Sequence, residues 1–501
     1  MDKKDLPSLP LALLPVVLTL GLLALQLFYY GDFTPHIPLI LGLAITSLLG
    51  VLRGQGWMDI REGIFHVIHV SLPSLAVLVI VGMIIGVWIA SGTVPTLIYY
   101  GLTLLNPRSI FLAAAMILCA VVSLSLGTSW GTVGTIGLAL MGIGAGFGIP
   151  AYWTAGAVVS GAFFGNKISP LSDTTNLAPA VTGTNVFDHI KNMLPTTIPA
   201  MVIALIIYVL VGFMMIDAAA GDVSSIQQIT TGLADRFNLG LVPLIPALIV
   251  VSLALMKQPP LPSLFSGVLA GGLIAIFWQG AGLHDVFAFA QSGYSIDTGI
   301  SDIDSLLNAG GIQSMMWTIS LMLIALGFGG ALERTGCLEA IIMAIVNRVK
   351  TFAAVQSSTI GAAFATNMVA GDPYISIALP GRMYAPLYRG MGYSTLNLSR
   401  AVEEGGTLMS PLIPWNAGGA FVISALGLGV MDGNLTNLLY IPLAFACWTA
   451  PVIGLIYAVT GMFSPKATEK DRQEWEKSGE DIMDLGDHAL AYRKDPETAQ
   501  A

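Results

Sequence analysis

Two polar, proline-broken stretches interrupt a chain that is otherwise apolar enough to cross a bilayer repeatedly. They are GNKISPLSDTTNLAPAV (residues 165–181) and EEGGTLMSPLIPWNAGGA (residues 403–420). The background is that of an integral membrane protein: 55% of the 501 residues are hydrophobic and only 10% are charged, and several apolar runs approach 20 residues. Pro170, Pro179, Pro411 and Pro414 prevent a continuous helix through either stretch. Non-helical backbone at membrane depth is tolerated only where protein or a watery cavity satisfies it. Paired interruptions at corresponding places in two halves therefore predict a secondary transporter with its site between repeats.

The chain aligns on itself. Leu11-Ala-Leu-Leu-Pro15 fits Val242-Pro-Leu-Ile-Pro246, Gly54-x-Gly56-Trp-Met-Asp59 fits Gly280-x-Gly282-Leu-His-Asp285, Ala90-Ser-Gly-Thr-Val94 fits Arg334-Thr-Gly-Cys-Leu338, and Ser169-Pro-Leu171 fits Ser410-Pro-Leu412. The matches keep one order and nearly one spacing, which drifts mainly through a polar insertion around residues 292–307. The expected fold is an all-α polytopic membrane protein with two inverted-topology repeats, scaffold helices and a core of broken helices or re-entrant hairpins. Its parts are repeat 1 (9–216), an inter-repeat loop (217–237), repeat 2 (238–463) and a polar, solvated cytoplasmic tail (464–501). Ordinary apolar helices are expected at about 11–30, 36–52 and 72–91, and again at 238–256, 262–279 and 314–332. Lys3 and Lys4 precede the first span, Arg53 and Arg61 follow the second, and residues 217–240 carry three acids and one arginine. That distribution predicts cytoplasmic termini and an odd number of crossings per unit, hence inversion. The first span is read as a retained helix, because it is long and has no small-x-small cleavage site. Cys119, Cys337 and Cys447 are far apart in apolar segments and read as buried small hydrophobes.

The candidate site residues fall at the interruptions. In Gly127-Thr-Ser-Trp-Gly-Thr132 two glycines bracket hydroxyls, and a hairpin tip there would present Thr128, Ser129 and backbone carbonyls. The first break offers Lys167, Asp173, Thr174, Thr175 and Asn176; the second half offers Asn367, Asp372, Arg400, Glu403, Glu404, Ser410 and Asn416. A charge at the bilayer centre costs roughly 2.5–3.5 kcal/mol on insertion scales, so such groups are normally paired or functional. Against this stand plainer readings: a water-exposed polar loop, helix packing through the glycines of residues 142–148, a helix cap at Asp372, and a structural pair of Arg400 with Glu403 or Glu404. Carboxylate, hydroxyl, amide and unwound carbonyl oxygens suit a hard monovalent cation without transition-metal geometry. One carboxylate that holds either a cation or a proton is sufficient for antiport. No nucleotide-binding loop, zinc-protease motif or nucleophile constellation is present, and His66 and His69 read as interfacial.

Taken together, GTSWGTVGTIG, GAFFGNKISPLSDTTNLAPAV, AGDPYISIALPGRMY and LSRAVEEGGTLMSPLIPWN resemble the NhaC family of sodium/proton antiporters, within the ion transporter superfamily. The resemblance runs from about residue 9 to 463. It implies an inverted-repeat fold with a scaffold and a mobile core, a homodimer formed through the scaffold, elevator-like movement in the inner cell membrane, and Na+ exchanged for H+ with no cofactor. Carried over by motif, the ligands are Thr128, Ser129, Asp173, Thr174, Thr175 and Asn176 in one half and Asp372, Glu404 and Asn416 in the other, with Asp173, Asp372 and Glu404 as the Na+ carboxylates. The chain departs from the family pattern at Asn166, where an acid is frequent, and at Glu404, where aspartate is. The resemblance also extends to carriers of organic acids and amino acids. An anionic substrate would need a compensating positive site, for which Lys167, Arg382 and Arg400 are present together with the helix N-termini that the breaks create.

Overall fold

The computed structural model describes residues 6–104, 108–218, 223–256, 258–297, 304, 307–430, 433–479 and 482. The distal tail, the two N-terminal lysines and part of the 292–307 insertion lie outside the described residues. The described chain is helical. Its first half contains α1 (Leu9–Ala24, continued by a wider π turn Leu25–Tyr30), α2 (His36–Leu52), α3 (Trp57–Ala90), α4 (Thr93–Leu104), α5 (Phe111–Leu126), α6 (Ser129–Thr132), α7 (Leu138–Gly146), α8 (Ala151–Ile168), α9 (Asp173–Thr182) and α10 (Val186–Ala218). After α11 (Val223–Arg236) come α12 (Ile245–Leu255), α13 (Pro260–Phe277), α14 (Leu283–Ser292), α15 (Gly311–Arg334), α16 (Cys337–Val346), α17 (Phe352–Ala370), α18 (Pro373–Gly390), α19 (Leu396–Gly405), α20 (Ala417–Ala425), α21 (Tyr440–Leu443), α22 (Phe445–Thr460) and α23 (Glu469–Ser478).

Among the described residues, five helices are long and apolar enough to cross a bilayer: Leu9–Tyr30, Trp57–Ala90, Val186–Met214, Pro260–Phe277 and Gly311–Arg334. Leu435–Leu443 and Phe445–Thr460, bent by 44°, make a sixth if the pair is one span. On α10 the lipid and protein faces separate by sequence. Ile203, Ile206, Leu210 and Phe213 form an exposed apolar row, whereas Ala200, Ala204 and Tyr208 are buried. The chain is thus a multi-pass helical membrane protein.

Helix ends in the two halves fall at glycines that the sequence alignment pairs. α3 begins after Gly56 and ends before Gly92 (φ 75°); α14 begins after Gly282, and α15 ends before Gly336 (φ 75°). What is one helix of 34 residues in the first half is divided into 10 and 24 residues in the second by the polar insertion. α3 and α14–α15 run antiparallel. Gly63 lies against Gly330 and Arg334, Gly82 against Gly311 and Met315, and Gly86 against Phe289 and Gly293, so the partner number falls as the α3 number rises. The hairpin tips match as well. α5 ends at Gly127 (φ 69°) with Thr128 capping α6, and α17 ends at Gly371 (φ 67°) with Asp372 capping α18. Positive φ at both tips is the left-handed region that a glycine reaches without a Cβ clash.

Three features depart from the sequence expectation. The third helix starts at Trp57 rather than near residue 72, because residues 57–71 continue the α3 register, so His66 and His69 lie on it. The inter-repeat segment contains α11, whose Ile229 and Leu233, followed by Phe237, bury one side against the bundle. The start of the polar tail is docked rather than solvated. Pro465 O accepts from Ser394 N (3.1 Å) and Asn397 Nδ2 (2.8 Å), Ala467 N donates to Gly392 O (3.0 Å), and Trp475 is buried beneath the Arg389 guanidinium. The three cysteines are buried and free.

α5 and α8 pack along small residues, the arrangement that lets two membrane helices approach closely. A Cβ at Gly165 would stand 2.7 Å from Leu124 N and 2.8 Å from the Ser123 Cβ. Gly165→Val should therefore separate the pair at a cost of about 1–3 kcal/mol from overpacking. The expected result is a lower melting temperature of the detergent-purified protein; an unchanged one would contradict the close packing.

Candidate functional site

The site grows from four interruptions that converge. Two are hairpin tips, at Thr128 and Asp372. The other two are broken helices, α8 to α9 and α19 to α20, in which Ser172 and Asn416 cap the second segments: Ser172 Oγ accepts from Thr175 N (3.4 Å) and Asn416 Oδ1 from Gly418 N (2.9 Å). α9 of the first half packs on α18 of the second. Trp130 beside the first tip stacks on Phe421 of α20, with ring centroids 4.8 Å apart. Each half thus supplies part of one enclosure, closed on the remaining side by α3 and the start of α13 at Pro259–Pro262.

That enclosure is a cavity of about 330 Å³. Of the expected residues, Thr128, Ser129, Asp173, Thr174, Asp372 and Ser410 line it. Asp173 Oδ1 accepts from Thr174 N (2.8 Å), and Oδ2 accepts from the Tyr374 hydroxyl. Asp372 is 1% exposed; Oδ1 accepts from Tyr374 N (2.8 Å) and Ile375 N (3.1 Å), and Oδ2 from Ser71 Oγ (3.2 Å). Asp372 is both a helix cap and a cavity residue, so the plain reading and the functional one hold together. Asn166 and Thr407 also line the cavity, and their Oδ1 and Oγ1 atoms are buried without a hydrogen-bond partner. Neutral oxygens of this kind, beside two carboxylates, are the donor set of a hard monovalent cation.

The remaining expected residues serve the backbone or balance charge. Thr175 Oγ1 donates to the carbonyls of Asn166 and Lys167 (both 3.1 Å), tying α9 to the last turn of α8. Asn176 Nδ2 donates to Pro170 O (2.9 Å) and Ser172 O (2.6 Å) across the break. Asn367 donates to Gly406 O and accepts from Asn416, closing the second break. Lys167 and Glu404 are fully buried and face each other at 3.7 Å, away from the cavity lining. Arg400, expected to pair with Glu403 or Glu404, instead donates to Phe463 O (2.9 Å) and Asn192 O (3.4 Å), because its side chain leaves α19 towards α10 and the end of α22. Glu403 is also fully buried.

Sequence reasoning passed over Ser71, Ser74, Tyr374 and Thr407. The signal for the serines was S-L-P-S within the apolar α3, where each hydroxyl needs a partner. Ser74 lies 3.3 Å from the Tyr374 hydroxyl.

Removing one partner of a buried ion pair strands the other charge at a cost of about 3–5 kcal/mol. Lys167→Met should therefore lower the melting temperature strongly, and Lys167→Met with Glu404→Gln should recover most of the loss. Equal destabilisation by the single and double variants would show that the two groups do not compensate each other.

Comparison with known proteins bears on the same interruptions. The sequence pattern of the Na+/H+ antiporter family matches residues 7–175 and 161–462. The Na+/H+ antiporter NhaC of Alkalihalophilus pseudofirmus is 38% identical over 463 residues, covering 92% of this chain and 97% of that protein. The malate-2H+/Na+-lactate antiporter of Bacillus subtilis is 37% identical, covering 90% and 95%. The arginine/ornithine antiporter ArcD of Halobacterium salinarum is 35% identical, covering 94% and 96%. With both halves matched, and with relatives at this identity aligned almost end to end, the chain belongs to the Na+/H+ antiporter family.

Proposed function

We propose that this chain is a secondary active transporter that exchanges Na+ for H+ by alternating access, with the cation held between the two hairpin tips and the broken α8–α9 and α19–α20 helices. The observation that carries the reading is electrostatic. The residues lining the cavity include two aspartates, Asp173 and Asp372, with unpartnered oxygens of Asn166 and Thr407, and among the described residues no lysine, arginine or histidine. An anion such as malate or lactate would meet two carboxylates there with no cationic side chain to offset them. Lys167 and Arg400 are committed elsewhere, to Glu404 and to backbone carbonyls. Cation exchange therefore fits the geometry better than organic-acid exchange.

In this scheme Na+ and H+ occupy Asp173 and Asp372 in turn. Thr128, Ser129 and Thr174 add oxygens at the cavity, and Glu404 with Lys167 keeps the buried charge behind the site balanced. The antiparallel α3 and α14–α15 support inverted repeats. The hairpins and broken helices form the moving core, the ordinary apolar helices form a scaffold that makes the homodimer, and the protein sits in the inner cell membrane with both termini cytoplasmic.

The test is transport in sealed proteoliposomes with a pH-sensitive dye. Addition of Na+ alone should move protons, and Asp173→Asn should reduce that movement by at least about 100-fold, the scale of losing a charged ligand, while the protein remains monodisperse. Proton movement that needs malate, lactate or an amino acid would assign the chain to organic-substrate carriers instead.

A further inference from the structure

A second cavity, of about 280 Å³, lies beside the first. Its lining includes His66, Val70 and Ser71 of α3, with Glu333 and Arg382, which pair at 3.3 Å. Two residues line both cavities, Asp372 and Tyr374. The two spaces also meet on α3 within about one helical turn. The smaller cavity ends at Ser71 and the larger begins at Pro73 and Ser74, a rise of about 5 Å. At this junction Ser71 donates to Asp372, and Ser74 stands against the Tyr374 hydroxyl. A phenol has one hydrogen, and that of Tyr374 is given to Asp173, so the Ser74 hydroxyl is the donor in the second bond. The ring is therefore held from both sides, by a cavity acid of the first half and by α3.

We propose that Tyr374 is the partition of the ion route: a single phenol ring separates the two cavities and is anchored by the carboxylate that the cation must occupy. The inference rests on the cation-exchange reading for its ion, and on the two cavities alone for its geometry. A cation arriving at Asp173 competes with the phenol hydroxyl. The wall and the site are thus coupled through one hydrogen bond.

Two substitutions separate the wall from the bond. Tyr374→Phe keeps the ring and removes the hydroxyl, so Na+ and H+ fluxes should stay coupled as in the unsubstituted protein, with a Na+ KM about tenfold lower because the competing bond is gone. Tyr374→Ala removes the ring, so tracer Na+ should cross without equivalent proton movement. Tyr374→Cys gives a test independent of transport. Its thiol should react with a membrane-impermeant methanethiosulfonate added to either face of the vesicle, because the proposal makes each cavity the half of the route that leads to one face. Labelling from one face only would overturn the proposal, as would an alanine variant coupled like the unsubstituted protein or a phenylalanine variant through which Na+ leaks. If the unsubstituted protein moves no protons on Na+ addition, the antiport reading fails, while a tracer Na+ leak through Tyr374→Ala that is absent from Tyr374→Phe still supports the partition.

Discussion

Backbone that leaves the helix inside a membrane must find its hydrogen bonds within the protein, and the arrangement of this molecule follows from that constraint. Four interruptions are satisfied by short polar side chains. Asn176 and Thr175 close the α8–α9 break, Asn367 and Asn416 close the α19–α20 break, Thr128 accepts from Gly131 N (3.3 Å), and Asp372 accepts from the first amides of α18. The oxygens and carboxylates left facing inward then define the cavity. The polar content of the core divides into groups that hold the chain open and groups that face what enters it.

Charge is distributed by the same logic. Asp173 and Asp372 line the cavity, whereas the fully buried Lys167 and Glu404 face each other outside its lining. A buried pair of this sort adds little to stability over an apolar pair of equal size, yet neither member can be removed alone without stranding the other. It links the last turn of α8 to the last turn of α19, one point at which the two broken helices are joined. The end of the second half and the start of the tail reach α19 as well: Phe463 O accepts from Arg400, and Pro465 O from Asn397.

Much of this architecture was legible in the chain. Glycines flanking Thr128 and Ser129 announced a hairpin tip, and Ser-Pro-Leu in each half announced the broken helices, because glycine and proline act on the backbone directly. Which polar residue turns towards backbone and which towards the cavity was not legible. Asp173, Thr174, Thr175 and Asn176 are consecutive and chemically alike, and only the packing of α9 on α8 and α18 sorts them. Lys167 and Arg400 had several acids in sequence reach, and their partners depend on contacts between helices distant in the chain. Tyr374, Ser71 and Ser74 were hidden because each occupies an otherwise ordinary helical segment. The amphipathic spacing of α11 was present but fell in a stretch read as a loop.

The claim on which the account turns is that Na+ and H+ compete for the same carboxylates in the cavity. Its most direct test is the proton count on Na+ binding: titration of NaCl into weakly buffered, detergent-purified protein with the released protons measured by pH electrode. Competition requires proton release that saturates with Na+ and is absent with choline chloride at equal ionic strength. Saturable Na+ binding without proton release at any pH between 6 and 9, a range that brackets neutral function, would contradict it.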